Sequence, residues 1–84
     1  MGTETDLKKE IAKWTGKIEK EMKSVKLRDK YQKDPSKKRL LDNIHAYIKD
    51  SKHFLQKGDL IRSFEAIIWA WSWLEILKEL NIFE

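Results

Sequence analysis

The sequence predicts an all-α fold, a three-helix bundle in which helices 2 and 3 form an antiparallel αα-hairpin. Three observations lead to this prediction. Apolar residues recur every three or four positions along three segments of the chain, which is the period of an amphipathic helix. Pro35 and Gly58 separate these segments. The pair Gly58-Asp59 is short enough for a tight turn between neighbouring antiparallel helices.

Helix 1 is predicted over about residues 4–25. Its apolar stripe consists of Leu7, Ile11, Trp14, Ile18, Met22 and Val25. These residues follow one another at three or four positions and therefore share one face. Leu27 and Tyr31 fall outside the stripe, so a basic connector is predicted over about residues 26–34.

Helix 2 is predicted over about residues 35–57 and helix 3 over about residues 59–80. The apolar side of helix 2 consists of Leu40, Leu41, Ile44, Tyr47, Ile48, Ser51, Phe54 and Leu55. Gly58 suits the left-handed conformation that ends many helices. The two segments are therefore expected to lie side by side and to run in opposite directions.

Polar residues in front of each segment predict where the helices begin. Thr3 or Thr5 is expected to cap helix 1, Asp34 to cap helix 2 ahead of Pro35, and Asp59 to cap helix 3. A side-chain oxygen at this position accepts a hydrogen bond from a free N–H group of the first turn.

Helix 3 is apolar on two sides. One stripe, the expected core of the bundle, consists of Leu60, Phe64, Ile67, Ile68, Trp71, Leu74 and Leu77. A second stripe on the other side consists of Trp69, Trp73, Ile76 and Leu80; we call it the tryptophan stripe. A helix that is apolar on both sides is normally buried on both sides.

Two explanations of the tryptophan stripe are equally consistent with the sequence. Helices 1 and 2 could flank helix 3 from opposite sides, so that both stripes belong to one core. Alternatively, the stripe contacts another chain, most simply a second copy across a two-fold axis. A groove for a small molecule or a peptide is a third, lesser possibility. Burial of each tryptophan is worth about 4–6 kcal/mol before entropy costs, so exposed rings favour association.

Length and composition limit the possible classes of protein. The chain has 84 residues and no cysteine, which excludes disulfides, zinc–thiolate sites and thiol nucleophiles. The first residues are polar and acidic, unlike a signal peptide. The longest run without a charge, Ala66 to Leu74, is too short to cross a bilayer, which takes about 20 residues. We therefore expect a cytoplasmic protein with no membrane association, and its small core favours oligomerisation.

Positive charge is concentrated between residues 23 and 39, here called the basic segment. It holds eight basic and two acidic residues, whereas the rest of the chain holds ten basic and twelve acidic residues. The basic residues are Lys23, Lys26, Arg28, Lys30, Lys33, Lys37, Lys38 and Arg39. Such a segment could bind a phosphate backbone, with Tyr31 stacking on a base. A solvated connector is the favoured interpretation, because only one aromatic residue interrupts the charges.

No residue pattern predicts catalysis, a cofactor or a metal. His45 and His53 lie three residues after Asp42 and Asp50 on the polar side of helix 2, but a metal site needs three or four convergent ligands. Glu75 lies at the margin of the expected core and would attract interest if partly buried. We therefore expect a protein that is not an enzyme.

The second half of the chain resembles a known family. The resemblance rests on Tyr47, Asp50, Phe54-Leu55, Gly58-Asp59, Arg62, Phe64-Glu65-Ala66, Trp69-Ala70 and Trp73-Leu74-Glu75. In this order they are similar to an archaeal family of small helical proteins catalogued as a domain of unknown function, number 357. The resemblance covers about residues 40–84. It implies an archaeal source and a compact helical bundle, but no activity and no functional residues.

The leading functional hypothesis is therefore a non-enzymatic protein-interaction or homo-oligomeric assembly module, dimeric through helix 3. The alternative is a nucleic-acid-binding accessory domain that uses the basic segment.

Overall fold

The computed structural model describes residues 2–84 and contains three α-helices. They are α1 (Thr3–Ser24), α2 (Pro35–Gln56) and α3 (Leu60–Glu79), and the connector between α1 and α2 holds one turn of 3-10 helix at Asp29–Tyr31. In the described part of the chain, β pairing is limited to one isolated bridge. The predicted all-α bundle is confirmed.

α2 and α3 form the predicted antiparallel hairpin. Gly58 in the turn has φ +79°, a left-handed conformation that suits glycine. The Asp59 side chain accepts a hydrogen bond from the backbone nitrogen of Arg62 at 3.1 Å. Asp34 caps α2 in the same way through the backbone nitrogen of Ser36 at 2.9 Å. The hydrogen bonds from Ser36 also hold the pKa of Asp34 below its usual value.

The predicted threonine cap of α1 is wrong. The helix begins at Thr3 itself, so Gly2 occupies the capping position and no side chain accepts a hydrogen bond there. A capping residue must precede the first helical residue. Thr3 and Thr5 both lie inside the first turn and cannot perform this role.

A pair of buried serines marks the close approach of α2 and α3. The Ser51 hydroxyl donates to the carbonyl oxygen of Ser63 at 2.8 Å, and the Ser63 hydroxyl donates to the carbonyl oxygen of Ser51 at 2.7 Å. Ala66 and Ala70 continue this side of α3 and are also buried. Because these side chains are small, the two helix backbones can approach closely while both serine hydroxyls keep a partner.

The buried side of α3 is rotated relative to the predicted core stripe. The stripe residues that are buried are Leu60, Ile67, Leu74 and Leu77. Phe64 and Trp71 are only half-buried, and Ile68 is 46% exposed. The prediction centred the core on the bulkiest residues, whereas α2 packs where the small residues leave room.

α1 runs parallel to α3 and covers its other flank. Trp14 packs edge-to-face on Trp71 with ring centres 5.7 Å apart. Further along both helices, Glu21 of α1 forms an ion pair with Lys78 of α3. The hydrogen bond that the Lys78 ammonium donates to the Glu21 carboxylate raises the pKa of Lys78 above its usual value.

The C-terminal residues fold back on the connector. Leu27 and Phe83 form an antiparallel bridge, and both are buried together with Ile82. Arg28 Nε and Nη2 donate to the main-chain and side-chain oxygens of Asn81, both at 2.7 Å. Asn81 has φ +60° and reverses the chain after α3. We call this arrangement the C-terminal clasp; no pattern in the sequence predicted it.

The molecule is an elongated rod. Its principal extents are 49 × 17 × 17 Å and its radius of gyration is 14.1 Å, against roughly 12 Å for a compact domain of this length. In a rod of three helices, each helix keeps one side open. Within residues 2–84, no helix combines the length and the apolar character that crossing a membrane requires.

Candidate interaction surface

The tryptophan stripe lies on the open side of α3. Trp69 is 55% exposed, Ile76 is 47% exposed and Leu80 is 62% exposed, whereas Trp73 is half-buried. Along this side of α3 the rest of the described chain therefore leaves three of the four residues largely uncovered. The explanation in which helices 1 and 2 bury both stripes within one chain is not what the structure shows.

α2 covers only one edge of the tryptophan stripe. The Tyr47 ring stacks on the Trp69 ring, with centres 6.3 Å apart and planes inclined by 19°. Trp73 packs against the buried core. The stripe is thus fixed in position along one edge while its outer surface faces solvent.

Both basic side chains of α3 have acidic partners within the chain. Arg62 pairs with Asp59 at 3.6 Å, and Lys78 pairs with Glu75 at 3.6 Å in addition to its ion pair with Glu21. The basic side chains of α3 are therefore already engaged within the chain. The stripe itself offers only apolar contacts.

A second apolar surface is a groove of about 490 Å³ between α1 and α3. The groove is lined by Trp14, Phe64, Ile67, Ile68, Trp71, Ser72 and Glu75. Sequence reasoning named a groove only in general terms. The participation of Trp14 depends on how α1 docks on α3, and no pattern within one helix reveals it.

The family to which the chain belongs follows from its sequence. A family model described as "Protein of unknown function (DUF357)" matches residues 13–83. The chain belongs to the DUF357 family. This confirms the resemblance seen over residues 40–84 and extends it through the connector into the second half of α1.

A solved structure supports the same assignment. The crystal structure of protein AF1782 from Archaeoglobus fulgidus, also matched by the DUF357 model, is 40% identical to this chain. The two structures superpose with a TM-score of 0.81 over 96% of this chain and 95% of the other. No curated protein shows significant similarity to the chain. This chain and AF1782 thus share one helical fold within the DUF357 family.

In this DUF357 chain, the basic segment is divided between internal contacts and solvent. Arg28 belongs to the C-terminal clasp, Lys26 pairs with Glu84 at 3.6 Å and Lys37 pairs with Asp34 at 3.8 Å. The remaining basic residues are exposed: Lys23, Lys30, Lys33, Lys38 and Arg39. Three of the eight basic residues of the basic segment therefore make hydrogen bonds or ion pairs within the chain.

Tyr31 does not form an open stacking platform. The residue is half-buried and packs against the core. The ammonium groups of Lys30 and Lys37 lie 5.1 and 5.2 Å from its ring centre. The chain's own lysines thus contact the ring that was predicted to stack on a base, and the nucleic-acid role stays an untested prediction.

The predicted polar side of α2 carries the two histidines into solvent. His45 and His53 are exposed, as are Asp42 and Asp50. Within residues 2–84, no three histidine or carboxylate side chains converge in a way that could hold a metal ion. Glu75 is also exposed, so it is not the partly buried carboxylate that would suggest acid–base chemistry.

Proposed function

We propose that this DUF357 chain is a non-enzymatic protein-interaction module that forms a homodimer through the tryptophan stripe. The observation that supports the proposal is the exposure of Trp69, Ile76 and Leu80 along one line of α3. Together with Trp73 they follow the spacing by which one helix docks along another. The proposal keeps the cytoplasmic location expected from the sequence and needs no cofactor.

The size of the stripe indicates a weak, reversible dimer. The exposed area of its three open residues is on the order of 300 Å², which is the scale of a functional apolar patch on a small protein. Two such patches bury about 600 Å² together, less than the roughly 1,200 Å² of a stable interface. Neighbouring residues such as Tyr47 add to this area. We expect a dimer dissociation constant in the micromolar range or weaker.

A second copy is the occupant that best matches the chemistry of the stripe. The four residues of the tryptophan stripe carry no charge that would attract a charged partner. Another copy presents the same apolar line, and a two-fold axis brings the two lines together. A small rod with no cysteine also gains stability by covering apolar surface in this way.

The proposal is tested by sedimentation equilibrium from about 1 to 500 μM, the range that covers a weak interface. We expect the weight-average mass to rise from monomer towards dimer. Ile76→Lys introduces a charge into the stripe and should abolish the rise. Ile68→Lys is the matched control, because Ile68 is exposed to nearly the same extent, 46% against 47%, but lies roughly 80° away around α3.

Two results would contradict the proposal. One is a monomer at every concentration of the unmodified chain. The other is an equal loss of dimer in both lysine variants, which would place the contact elsewhere on α3. Circular dichroism of each variant checks that the helices remain folded.

A further inference from the structure

The groove between α1 and α3 lies on a different flank of α3 from the tryptophan stripe, so a ligand there does not depend on dimer formation. Its volume of about 490 Å³ falls within the range of small-molecule sites. Its walls are apolar and partly exposed at Trp14 and Ile68. The groove therefore has the size and the surface to cover one small organic molecule.

The two indole walls of the groove are held in fixed positions. Trp71 Nε1 donates a hydrogen bond to the carbonyl oxygen of Trp14 at 3.1 Å. The two rings pack edge-to-face, with planes inclined by 86°. Because both rings are already placed before any ligand arrives, binding loses little entropy in ordering them.

The electron-rich lining of the groove favours a cation. Indole and phenyl rings present negative faces, and Trp14 already has the ammonium groups of Lys13 and Lys17 at 5.6 and 4.7 Å from its ring centre. In the described part of the chain no cation lies over Trp71 in this way. Trp71 is half-buried, and the part of it that lines the groove is the part that a ligand's cation could contact.

The polar groups that line the groove are hydrogen-bond acceptors. Glu75 supplies a carboxylate whose side chain is 61% exposed, and Ser72 supplies a hydroxyl. The Glu75 carboxylate pairs with Lys78 at 3.6 Å, but the Lys78 ammonium is also hydrogen-bonded to Glu21. Glu75 consequently keeps the capacity to accept a hydrogen bond from a bound ammonium group.

We propose that this groove binds a small organic cation, an ammonium group carried on an apolar body the size of one aromatic ring. The apolar body packs between Trp14, Phe64 and Ile68. The ammonium group lies against the Trp71 ring and the Glu75 carboxylate.

Three probes with the same skeleton and different charges test the proposal: phenethylammonium, 2-phenylethanol and phenylacetate. Each is titrated into the full-length chain at neutral pH, and the indole N–H signals are followed by NMR. We expect saturable shifts of the Trp14 and Trp71 signals, with Trp69 and Trp73 as internal references. Phenethylammonium should bind about tenfold more tightly than phenylacetate, the size of effect that a cation–π contact and a carboxylate give at a partly exposed site.

Two variants of one helix test the role of the carboxylate. Glu75→Gln should reduce the affinity for phenethylammonium but leave it above that of 2-phenylethanol, because the contact between the ammonium group and the Trp71 ring remains. Glu79→Gln removes a similar charge one turn further along α3, outside the groove, and should leave the affinity unchanged. Equal losses in the two variants would show a general charge effect and overturn the assignment.

Three other outcomes would also overturn the proposal. The first is phenylacetate binding as tightly as phenethylammonium, above all if Lys17→Gln abolishes it, since this would indicate an anion site. The second is shifts confined to Trp69 and Trp73. The third is an absence of saturation with phenethylammonium up to about 10 mM, which corresponds to negligible affinity.

Discussion

The proposed dimer gives Trp69 two roles, one in the packing of the monomer and one in the contact between copies, and its replacement by alanine should separate them. The residue is 55% exposed, and its covered part stacks on Tyr47 of α2. A tryptophan presents about 250 Å² at most. Roughly 140 Å² of Trp69 is thus available to a partner chain, and roughly 110 Å² is covered within the monomer.

The covered area determines the expected loss of monomer stability. At about 25 cal/mol per Å², 110 Å² corresponds to somewhat under 3 kcal/mol. Alanine retains the β-carbon, so Trp69→Ala should lower the free energy of unfolding by about 2 kcal/mol.

The exposed area determines the expected loss of dimer affinity. Each dimer contains two copies of Trp69. If half of the open area of each is covered at the interface, the loss is on the order of 3 kcal/mol, or about 100-fold in the dimer dissociation constant.

Two measurements give the two quantities independently. Urea unfolding at about 1 μM, where a weak dimer is dissociated, reports the monomer. Sedimentation equilibrium at high concentration reports the dimer. Ile61→Ala, an exposed position near the start of α3, should change neither. A stability loss near 2 kcal/mol with an unchanged dissociation constant would refute the assignment of Trp69 to the interface.

Three further predictions concern the fold. Ser63→Val should lower the free energy of unfolding, measured in urea, by roughly 2–4 kcal/mol, because it overfills the close contact with α2 and removes the serine hydrogen bonds. A loss below about 1 kcal/mol would contradict the close packing. Phe83→Ala should cost about 3–5 kcal/mol if the C-terminal clasp is packed as described, and an unchanged thermal midpoint would show that it is not. The raised pKa of Lys78 predicts that the stability contributed by its ion pairs is complete below the unfolded value of 10.5 and disappears as the pH rises through the higher folded value. Glu21→Gln should reduce this alkaline fall in the thermal midpoint, because Glu21 makes the largest contribution to the shift.

Two of the three helix caps and the turn of the hairpin, which depend on local chemistry, could be predicted from the sequence. Asp34 and Asp59 cap their helices as expected, and Gly58 adopts the left-handed conformation of the turn. Each of these outcomes depends on residues within a few positions of one another. For that reason one sequence was enough to predict the hairpin and the class of fold.

The orientation of α3 could not be predicted from hydrophobicity. The bulky residues of the predicted core are displaced towards α1, and the small residues Ser63, Ala66 and Ala70 face α2. Hydrophobic periodicity gives weight to large side chains, whereas the close approach of two backbones depends on small ones. Four of the seven residues in the predicted core stripe are therefore buried, and the other three are partly exposed.

The sequence also could not predict contacts between residues far apart in the chain. The groove needs Trp14 and Trp71 side by side, and the C-terminal clasp needs Arg28 next to Asn81. Ile82 and Phe83 are too short a segment to show any period. Likewise, the residues of the tryptophan stripe were readable from the sequence, but their exposure depends on how α1 and α2 pack.

The C-terminal clasp has a consequence for the order in which the chain folds. Its Arg28–Asn81 contacts join residues 53 positions apart, whereas the serine contacts of the hairpin join residues 12 positions apart. Closing the longer loop costs about 1.3 kcal/mol more in chain entropy. The hairpin therefore forms without help from the clasp, but the clasp becomes favourable only after α3 has been placed. We expect the hairpin to act as the folding nucleus and the C-terminal clasp to close last, so that Phe83→Ala accelerates unfolding and leaves the folding rate almost unchanged.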